Sequence, residues 1–386
     1  MKKMEAFKES VKQCKPEYLA VTLLLIVTIL AGLAYLAFVP KQTFSEEENR
    51  ALEEIPQLSL ENLADGSFMS SAESYVGDHF MLRQAFISLS TTVKLGLGFR
   101  DAGGNYSSVP AEGGVYFGGN GHLYEVLLPN KDQVFAQNVK GLAAFCEGAG
   151  LPFYVVPVPS GAQEQAQNLP LFSYSHNQRE EFEALRAAIG ENGAVVDLFD
   201  ALNLWNGDYY YKTDHHWTSR GAYQAYCAYM RAVGGQPSPE DAYEKVAREG
   251  FYGTTYAQSG YFASSSDTME MWVSDWNASA FHWEKLDGYD MYQVFLGGDV
   301  GVDVLDSPSA PEGTLLLFKD SFADALAPFL MQHYSRIVLI DLRYARNTDL
   351  AKLVAEYAPQ EILFVYCGDS LVNETSLRLL DAAYAG

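Results

Sequence analysis

The amino-acid sequence predicts an α/β protein, in which a parallel sheet has helices on both faces, joined to an N-terminal transmembrane helix. Two observations lead to this prediction. From about residue 131, short apolar segments alternate with segments of helical periodicity, as is typical of parallel sheets whose strands are buried on both faces. Near its N-terminus the chain contains one long uncharged segment. With 386 residues, 48% of them hydrophobic, there is material for one large or two modest domains.

Residues 18–39 (YLAVTLLLIVTILAGLAYLAFV) are the predicted transmembrane helix. These 22 residues carry no charge, and at about 1.5 Å per residue they span a hydrocarbon core of about 30 Å. A cleaved signal peptide is the alternative, but its apolar region normally has about 7 to 15 residues and precedes a small-residue cleavage site. The sequence that follows here, FVPKQTFSEEENR, has no such site. We therefore expect an uncleaved anchor.

The charges around this segment predict its orientation and exclude some partners. Five lysines precede it, namely Lys2, Lys3, Lys8, Lys12 and Lys15. The positive-inside rule therefore leaves the N-terminus in the cytoplasm and everything after Pro40 outside the membrane. Residues 1–17 contribute +2 (five Lys against three Glu) to the net charge of −23, so residues 18–386 carry −25. So acidic a body argues against nucleic acid and anionic lipid surfaces as partners.

Four parts make up the predicted organisation. They are a cytoplasmic tail (1–17), the transmembrane anchor (18–39), a polar stalk or leader (40–65) and an extracytoplasmic domain (66–386). The domain begins with a segment of helical periodicity up to about residue 100. Alternating helices and strands follow: DQVFAQNVKGLAAFCEGAG, PFYVVPVP, REEFEALRAAIG, AVVDLF, TSRGAYQAYCAYMRAVG, TLLLF, DSFADALAPFLMQHY, RIVLIDL, TDLAKLVAEYAP and EILFVY.

Residues 236–298 interrupt this alternation. They are rich in Tyr, Trp, Gly and Ser and have no clear helical period, so we expect an irregular or β-rich insertion, placed as a flap over the site. Its aromatic residues could stack on sugar rings, or they could fill a small core of the insertion itself, which is the more common use. The aromatic residues in question are Tyr261, Trp272, Trp276 and Trp283.

The segment YYKTDHHWTSRG holds the densest group of reactive side chains. Asp214, His215, His216 and Trp217 are consecutive there, ahead of a helix that Thr218 and Ser219 could cap. Three interpretations are open: a metal site, two members of a catalytic triad, or a loop that simply packs. The other histidines are scattered and no cysteine pair has ligand spacing, so we predict no metal.

Ser321 is the candidate nucleophile. It follows the apolar strand LLLF and begins a helix, and ligands of parallel sheets bind beyond the carboxyl ends of the strands. Free N–H groups of the first helical turn would there favour a developing negative charge. An N-cap role for Ser321 or Asp320 is the alternative, and it is the more common use of Asp-Ser before a helix.

A base for Ser321 is available in the DHHW segment. His216 could take the serine proton, and Asp214 could orient the imidazole and stabilise its protonated form. Two residues apart in an extended segment, side chains point the same way, so a direct contact between Asp214 and His216 is expected. The three residues therefore predict a Ser-His-Asp triad.

These segments together resemble the DHHW family of bacterial extracytoplasmic proteins, which belongs with the SGNH-hydrolase-like alginate O-acetyltransferases. The resemblance covers nearly the whole chain after the anchor. It rests on FSEEENRALEEIP, on GSFMSSAESYVGDHFMLRQ with its Asp-x-x-x-x-Arg pattern, on the signature YYKTDHHWTSRGAY, and on FLGGD, KDSFADALAPFL and IDLRY. It implies an SGNH-hydrolase-like (flavodoxin-like) sheet in which the Asp-x-His motif precedes the serine.

The resemblance also implies roles for individual residues. Asp214 and His216 correspond to the orienter and base, and Ser321 to the nucleophile, while His215 lies at the family's variable position. Secondary candidates for substrate or oxyanion contacts are His215, Trp217, Tyr211, Gly298 and Arg343. The segment FLGGD ends in Asp299, where the family commonly has Asn, and a carboxylate is a poor oxyanion donor, so Asp299 is assigned no role.

The implied function is O-acetyl transfer to, or ester hydrolysis on, a cell-surface polysaccharide through an acyl-serine. Both reactions share that intermediate, and either a sugar hydroxyl or water resolves it. The sequence has no feature for binding coenzyme A, so no cofactor is expected, and a membrane-bound O-acyltransferase would supply the acetyl group. The alternative is a non-catalytic glycan-binding or assembly protein of the cell envelope.

Overall fold

The structure is a computed structural model that describes residues 15–102, 114–127, 132–203 and 208–384. It divides into two compact units, residues 1–92 and 93–386, which are described separately. The basic residues that predicted the orientation of the anchor lie mostly in residues 1–14, outside the described residues, as does most of the Gly-rich segment after residue 102.

The first unit is mainly helical. Its elements are α1 (Pro16–Phe38), the antiparallel pair β1 (Phe44–Ser45) and β2 (Arg50–Ala51), α2 (Leu60–Ala64), α3 (Ser67–Asp78) and the start of α4 (Arg83–Gly96). Among the described residues, α1 is the one helix long and apolar enough to cross a membrane, with a mean hydropathy of 2.6 and no buried residues in its most apolar part. This agrees with the predicted anchor in place and length.

Ion pairs connect the predicted leader to α3 and α4. Arg50 donates to the Asp78 carboxylate, Arg83 donates to Glu48, and the backbone N–H of Glu53 donates to Asp78 Oδ2 at 2.9 Å. The leader and the Asp-x-x-x-x-Arg segment thus fold as one body in the first unit. The boundary that we predicted at residue 65 stays a prediction, although by compactness α3 groups with the residues before it.

The second unit contains the remaining elements. The strands are β3 (Asp101–Ala102), β4 (Val115–Phe117), β5 (Leu123–Glu125), β6 (Phe153–Val158), β7 (Ala194–Val195), β8 (Glu244–Phe251), β9 (Asp267–Val273), β10 (Val302–Asp306), β11 (Thr314–Lys319), β12 (Arg336–Ile340) and β13 (Glu361–Cys367). The helices are α5 (Asp132–Ala149), α6 (Gly161–Glu164), α7 (Gln178–Ile189), α8 (Ser219–Ala232), α9 (Thr254–Ser259), α10 (Phe322–Leu330), α11 (Leu350–Tyr357) and α12 (Gly368–Asn373). Short 3₁₀ helices include Met291–Val294 and Leu377–Ala382.

The central sheet has the strand order β10-β12-β11-β13-β6-β7. All neighbouring pairs are parallel except β10 with β12, which is antiparallel. The predicted α/β fold is confirmed, and the all-parallel sheet is corrected at this one edge. The strand β10, VDVLD, contains two carboxylates, and Leu305 is its one buried residue, as suits an edge strand.

Successive residues of the inner strands face two separate cores. In β11, Leu315 and Leu317 pack in a core with α8 and α10, whereas Leu316 and Phe318 pack in the other core with α5, α7 and α11. This is the period of two that a strand buried on both faces requires. Helices therefore cover both faces of the sheet, as predicted.

The insertion is partly built into the first of these cores. Its strands β8 and β9 pair antiparallel, and Trp272 of β9 is 1% exposed and packs with α8 and α10. Trp276 is partly buried against the same core, whereas Trp283 is 40% exposed. Trp272 is thus a core residue of the whole domain rather than a surface for sugar rings.

Candidate active site

Backbone hydrogen bonds hold the loop that carries Asp214 to Trp217. Tyr210 and Trp217 form an isolated antiparallel bridge, and the N–H of Tyr211 donates to the His216 carbonyl oxygen at 3.2 Å. The Asp267 carboxylate, at the start of β9, accepts from the N–H of Thr213 at 2.8 Å and from its hydroxyl at 2.6 Å. The loop is therefore fixed from its own two ends and from the insertion.

Ser321 lies between β11 and α10, at the carboxyl end of a central strand. Its hydroxyl does not cap the helix. The capping function belongs to Asp320, whose Oδ1 accepts from the Phe322 N–H at 3.1 Å and whose Oδ2 accepts from the Cys367 N–H at 2.7 Å. Because Asp320 accepts from the N–H of the first helical residue, the hydroxyl of Ser321 is left for other partners.

A hydrogen-bonded chain joins Ser321, His216 and Asp214. The distance from Ser321 Oγ to His216 Nε2 is 2.8 Å, and His216 Nδ1 lies 2.6 Å from Asp214 Oδ1. The same Asp214 oxygen accepts from the His216 backbone N–H at 2.9 Å. Asp214 is 3% and His216 is 5% exposed, so little water competes for these bonds.

Asp214 has further donors on its second oxygen. Oδ2 accepts from the Thr254 N–H at 2.8 Å and from the Thr254 hydroxyl at 3.1 Å. The Thr254 hydroxyl also lies 2.6 Å from His215 Nδ1. His215 thus has Thr254 as a partner, and of the two adjacent histidines it is His216 that contacts the serine.

Surroundings shift the pKa values of these groups in opposite directions. Burial lowers the pKa of His216 from its ordinary value and His215 lowers it further, against the opposing effect of Asp214, which favours the neutral imidazole that can accept a proton. Burial opposes the charged form of His215, but the carboxylates of Glu125 and Asp214 outweigh it and raise its pKa. Burial also disfavours the charged form of Asp214, yet His216, His215 and hydrogen bonds hold its pKa far below the usual range.

Two aromatic side chains enclose the imidazole of His216. The Tyr292 ring stacks on it with 3.9 Å between centroids and 9° between planes, and the Phe322 ring lies 4.9 Å away. The Tyr292 hydroxyl donates to the Ser321 carbonyl oxygen at 3.4 Å. Tyr292 therefore covers one face of the imidazole and contacts the serine backbone at the same time.

Trp217 and Arg343 have partners other than a substrate. Trp217 is fully buried and its indole N–H donates to the Phe322 carbonyl oxygen at 2.9 Å, which ties the His216 loop to the Ser321 helix. Arg343 contacts Asp341 (Nε to Oδ1, 2.9 Å) and Asp299 (Nη2 to Oδ2, 3.2 Å). Both side chains thus hold the fold around the site, and their predicted contacts with a substrate or oxyanion stay predictions.

The remaining secondary candidates stay predictions. Tyr211 is buried and its hydroxyl has no hydrogen-bond partner within the part of the chain that the structure describes; it lines a small cavity with Asp214 and His215. Gly298 has a φ of +108°, a conformation that other residues rarely adopt. It allows the chain to turn just before Asp299, which pairs with Lys319 at 3.1 Å.

A metal ion bound by Asp214, His215 and His216 would break the hydrogen bonds that join Ser321, His216 and Asp214. Asp214, His215 and His216 have ligand atoms within 4.8 Å of one another. However, Asp214 Oδ1 and His216 Nδ1 face each other at 2.6 Å, so a metal would have to displace the proton between them. Zinc sites normally use three or four ligands that converge on one point, and the metal-free site stays a prediction.

Sequence reasoning missed Thr254 and Tyr292 as site residues. Both come from the insertion, which has no periodicity to place its side chains. The pair Gly253-Thr254 at the start of α9 is a helix-start signal that could have indicated a backbone close to another element. Nothing in the sequence around Tyr292 indicates the stacking on His216, which depends on the tertiary fold.

Comparison with known proteins agrees with this fold. Residues 124–273 match a family model described as the SGNH hydrolase-like domain of the acetyltransferase AlgX, a segment that includes Asp214, His216 and Thr254 but ends before Ser321. No curated protein matches the chain. The resemblance to SGNH-hydrolase-like acetyltransferases is therefore shown for this segment.

Solved structures are similar over most of the chain. A DHHW family protein from Eubacterium siraeum DSM 15702 is 22% identical with a TM-score of 0.61, over 71% of this chain and 97% of that one. Bacillus cereus PatB1 with a sulfonyl adduct is 18% identical with a TM-score of 0.58, over 68% of this chain and 97% of that one. At these identities the likeness shows the fold, and the predicted resemblance to DHHW proteins is confirmed.

Proposed function

We propose that this protein is a membrane-anchored extracytoplasmic O-acetyltransferase or esterase that acts on a cell-surface polysaccharide through an acyl-serine at Ser321. The observation that carries the proposal is the chain from Ser321 Oγ to His216 Nε2 (2.8 Å) and from His216 Nδ1 to Asp214 (2.6 Å). Nucleophile, base and orienter have this order of contact in serine hydrolases on several unrelated folds. Ser321 makes this contact instead of capping its helix.

The proposed reaction has two halves. In the first, His216 Nε2 takes the Ser321 proton while Oγ bonds to the acyl carbonyl carbon, and the imidazolium then gives that proton to the departing oxygen of the donor. In the second, His216 takes a proton from the acceptor hydroxyl as its oxygen attacks the acyl-serine, and returns the proton to Ser321 Oγ. Asp214 stabilises the imidazolium in both halves.

The backbone N–H of Ser321 is the proposed oxyanion donor. No hydrogen bond within the described residues engages this N–H, and it lies at the start of the nine-residue helix α10. Donors at a helix start favour negative charge, and a preorganised donor of this kind stabilises the tetrahedral intermediate of acyl transfer. Two of the predicted side-chain donors, Trp217 and Arg343, already have other partners.

The acetyl group rests on the match to the AlgX acetyltransferase domain, and the polysaccharide acceptor rests on the resemblance to the alginate O-acetyltransferases. We propose that a membrane-bound O-acyltransferase delivers the acetyl group. The helix α1 is proposed to anchor the protein with its N-terminus in the cytoplasm, because the lysines precede it. Protease added to intact protoplasts should digest the chain beyond Pro40 and spare the N-terminus; a protected large domain would contradict this orientation.

The decisive experiment replaces the nucleophile. We expect Ser321→Ala to lower kcat by at least about 10³-fold, both for acetate release from an activated acetyl ester and for acetyl transfer to a soluble oligosaccharide. The free energy of unfolding should change by less than about 0.5 kcal/mol, because the hydroxyl caps nothing, whereas loss of a helix cap costs about 0.5 to 2 kcal/mol.

His216→Ala serves as the second variant. Members of a triad act as a unit, so His216→Ala and the double variant with Ser321→Ala should lose about as much as Ser321→Ala alone. Full turnover in Ser321→Ala would contradict the proposed function. A wild-type protein that is inert in both assays but binds the oligosaccharide would favour the glycan-binding alternative.

A further inference from the structure

We propose that Gly253 and Thr254, at the start of α9, are positioning residues of this site, which fix the Asp214 carboxylate against His216 and hold His215 in one orientation. The insertion of residues 236–298 is then a part of the active site and not a flap over it. This inference rests on the proposed function, since a positioning role has meaning only if the chain from Asp214 to Ser321 performs chemistry.

The hydroxyl of Thr254 has one proton and two partners, which decides the direction of both bonds. Asp214 is ionised, because its pKa lies far below neutral pH, and an ionised carboxylate only accepts. The Thr254 O–H therefore donates to Asp214 Oδ2 at 3.1 Å, and His215 Nδ1–H donates to Thr254 Oγ at 2.6 Å. The result is a continuous network from His215 through Thr254, Asp214 and His216 to Ser321.

This network restrains Asp214 on both oxygens. Oδ1 accepts the two donors of His216, and Oδ2 accepts the N–H and O–H of Thr254. Without the Thr254 hydroxyl, the Thr254 N–H alone would hold Oδ2, so the carboxylate would have more freedom to rotate about its bond to Cβ and move Oδ1 out of line with His216 Nδ1. The same hydroxyl accepts from His215 Nδ1–H and so restrains that ring, whose centroid lies 3.8 Å from that of the His216 ring.

Gly253 supplies the space for this approach. A Cβ added to Gly253 would lie 2.1 Å from Asp214 Oδ2 and 2.2 Å from Asp214 Cβ, far closer than real atoms approach. Its backbone angles (φ −102°, ψ −164°) are open to other residues. Glycine is therefore required because a side chain would collide with Asp214, and not because of the backbone conformation. Two independent features of the insertion thus converge on one carboxylate.

The test compares two neighbouring threonines in the full-length protein. Thr254→Val keeps the shape of the side chain and removes the hydroxyl, and we expect kcat to fall about 10- to 100-fold with KM unchanged, as for loss of a hydrogen bond to a charged group. Thr254→Ser should restore most of the activity. Thr255→Val is the matched control, because the Thr255 hydroxyl is buried and has no partner among the described residues; it should retain wild-type kcat.

A spectroscopic readout separates positioning from general loss of structure. The His216 Nδ1–H proton should give a low-field NMR signal that shifts or broadens in Thr254→Val and is retained in Thr254→Ser, Thr255→Val and Ser321→Ala. Gly253→Ala should shift the same signal and lower kcat at least as much, because it displaces Asp214. Thermal unfolding of each variant shows whether the fold is retained.

The outcomes distinguish this inference from the proposed function. If Ser321→Ala is inactive while Thr254→Val keeps wild-type kcat and an unshifted His216 signal, the positioning role is wrong and the proposed function stands. An equal loss in Thr254→Val and Thr255→Val also contradicts the inference, because it would show a general packing effect. Turnover that survives in Ser321→Ala contradicts the proposed function, and the inference fails with it.

Discussion

Asp214 and Asp324 are two carboxylates on opposite sides of Ser321 in the chain, and both are 3% exposed, yet their pKa values move in opposite directions. The pKa of Asp214 lies far below the usual range, whereas burial raises the pKa of Asp324 to about 7. Equal burial therefore does not determine the state of a carboxylate. The difference lies in what surrounds each group.

Asp214 belongs to a network of directed donors, and Asp324 to a cluster of shared charges. Asp214 accepts from His216 and Thr254 through both backbone and side-chain groups. Asp324 lies 2.6 Å from Lys319, but Lys319 also contacts Asp299 at 3.1 Å, and Asp299 and Asp320 raise the pKa of Asp324. Hydrogen bonds that point at a carboxylate stabilise its charged form, whereas an ammonium shared among several carboxylates does so only in part.

The first way to sharpen this comparison, with the largest expected effect, is Asp214→Asn. The amide would donate to His216 Nδ1 and place the imidazole proton on Nε2. A protonated Nε2 cannot take the proton of Ser321. We expect kcat to fall on the order of 10⁴-fold with little change in melting temperature. If the folded Asp214→Asn variant kept the kcat of the wild type, the hydrogen bonds to Asp214 would have a structural role only.

The second test concerns the charged cluster. Lys319 is 2% exposed, so Lys319→Met leaves Asp324 buried without its cation, and we expect the free energy of unfolding to fall by about 3 to 5 kcal/mol. Lys140→Met is the control, because Lys140 pairs with Asp381 at 2.6 Å with its side chain 70% exposed. Exposed pairs contribute about 0 to 1 kcal/mol, and equal losses in the two variants during urea unfolding would contradict the comparison.

The third effect is a dependence on pH, which is the smallest of the three over any single pH unit. With a pKa of about 7 in the folded protein against an ordinary 3.8, native Asp324 binds more protons than unfolded Asp324 between about pH 4 and pH 7. The free energy of unfolding of the wild type should therefore decrease as pH rises through this window, by up to about 1.4 kcal/mol per pH unit.

Asp324→Asn removes the contribution of Asp324 to the pH dependence of the free energy of unfolding. The contributions of the other titrating groups cancel when variant and wild type are compared. The difference in free energy of unfolding between variant and wild type should grow in favour of Asn from pH 4 to pH 7 and remain constant above. A difference that does not vary with pH would show that Asp324 is ionised throughout, as Asp214 is.

Local pattern was enough to predict most of the fold and the contacts of three site residues. The inner strands of the sheet contain uninterrupted apolar runs, and the helices between them have a clear apolar stripe and ends, so these elements could be predicted one by one. Ser321 follows a strand and begins a helix, and Asp214 and His216 are two residues apart, which are features of neighbouring residues. The antiparallel β10 was missed because five residues with two carboxylates do not resemble a buried strand.

The sequence by itself determined which residue types stand at the ends of the strands and that an acid and a histidine two positions apart can meet. The spacing of Asp214 and His216 favoured His216 over His215 as the base, but only the tertiary structure brought Thr254, 39 residues beyond His215, against His215 and Asp214. It also engaged Trp217 and Arg343 in the fold and brought Tyr292 onto His216. The physical reason is that a hydrogen bond or a stacked ring requires two groups to meet in space, and the insertion has no periodicity from which that meeting could be predicted.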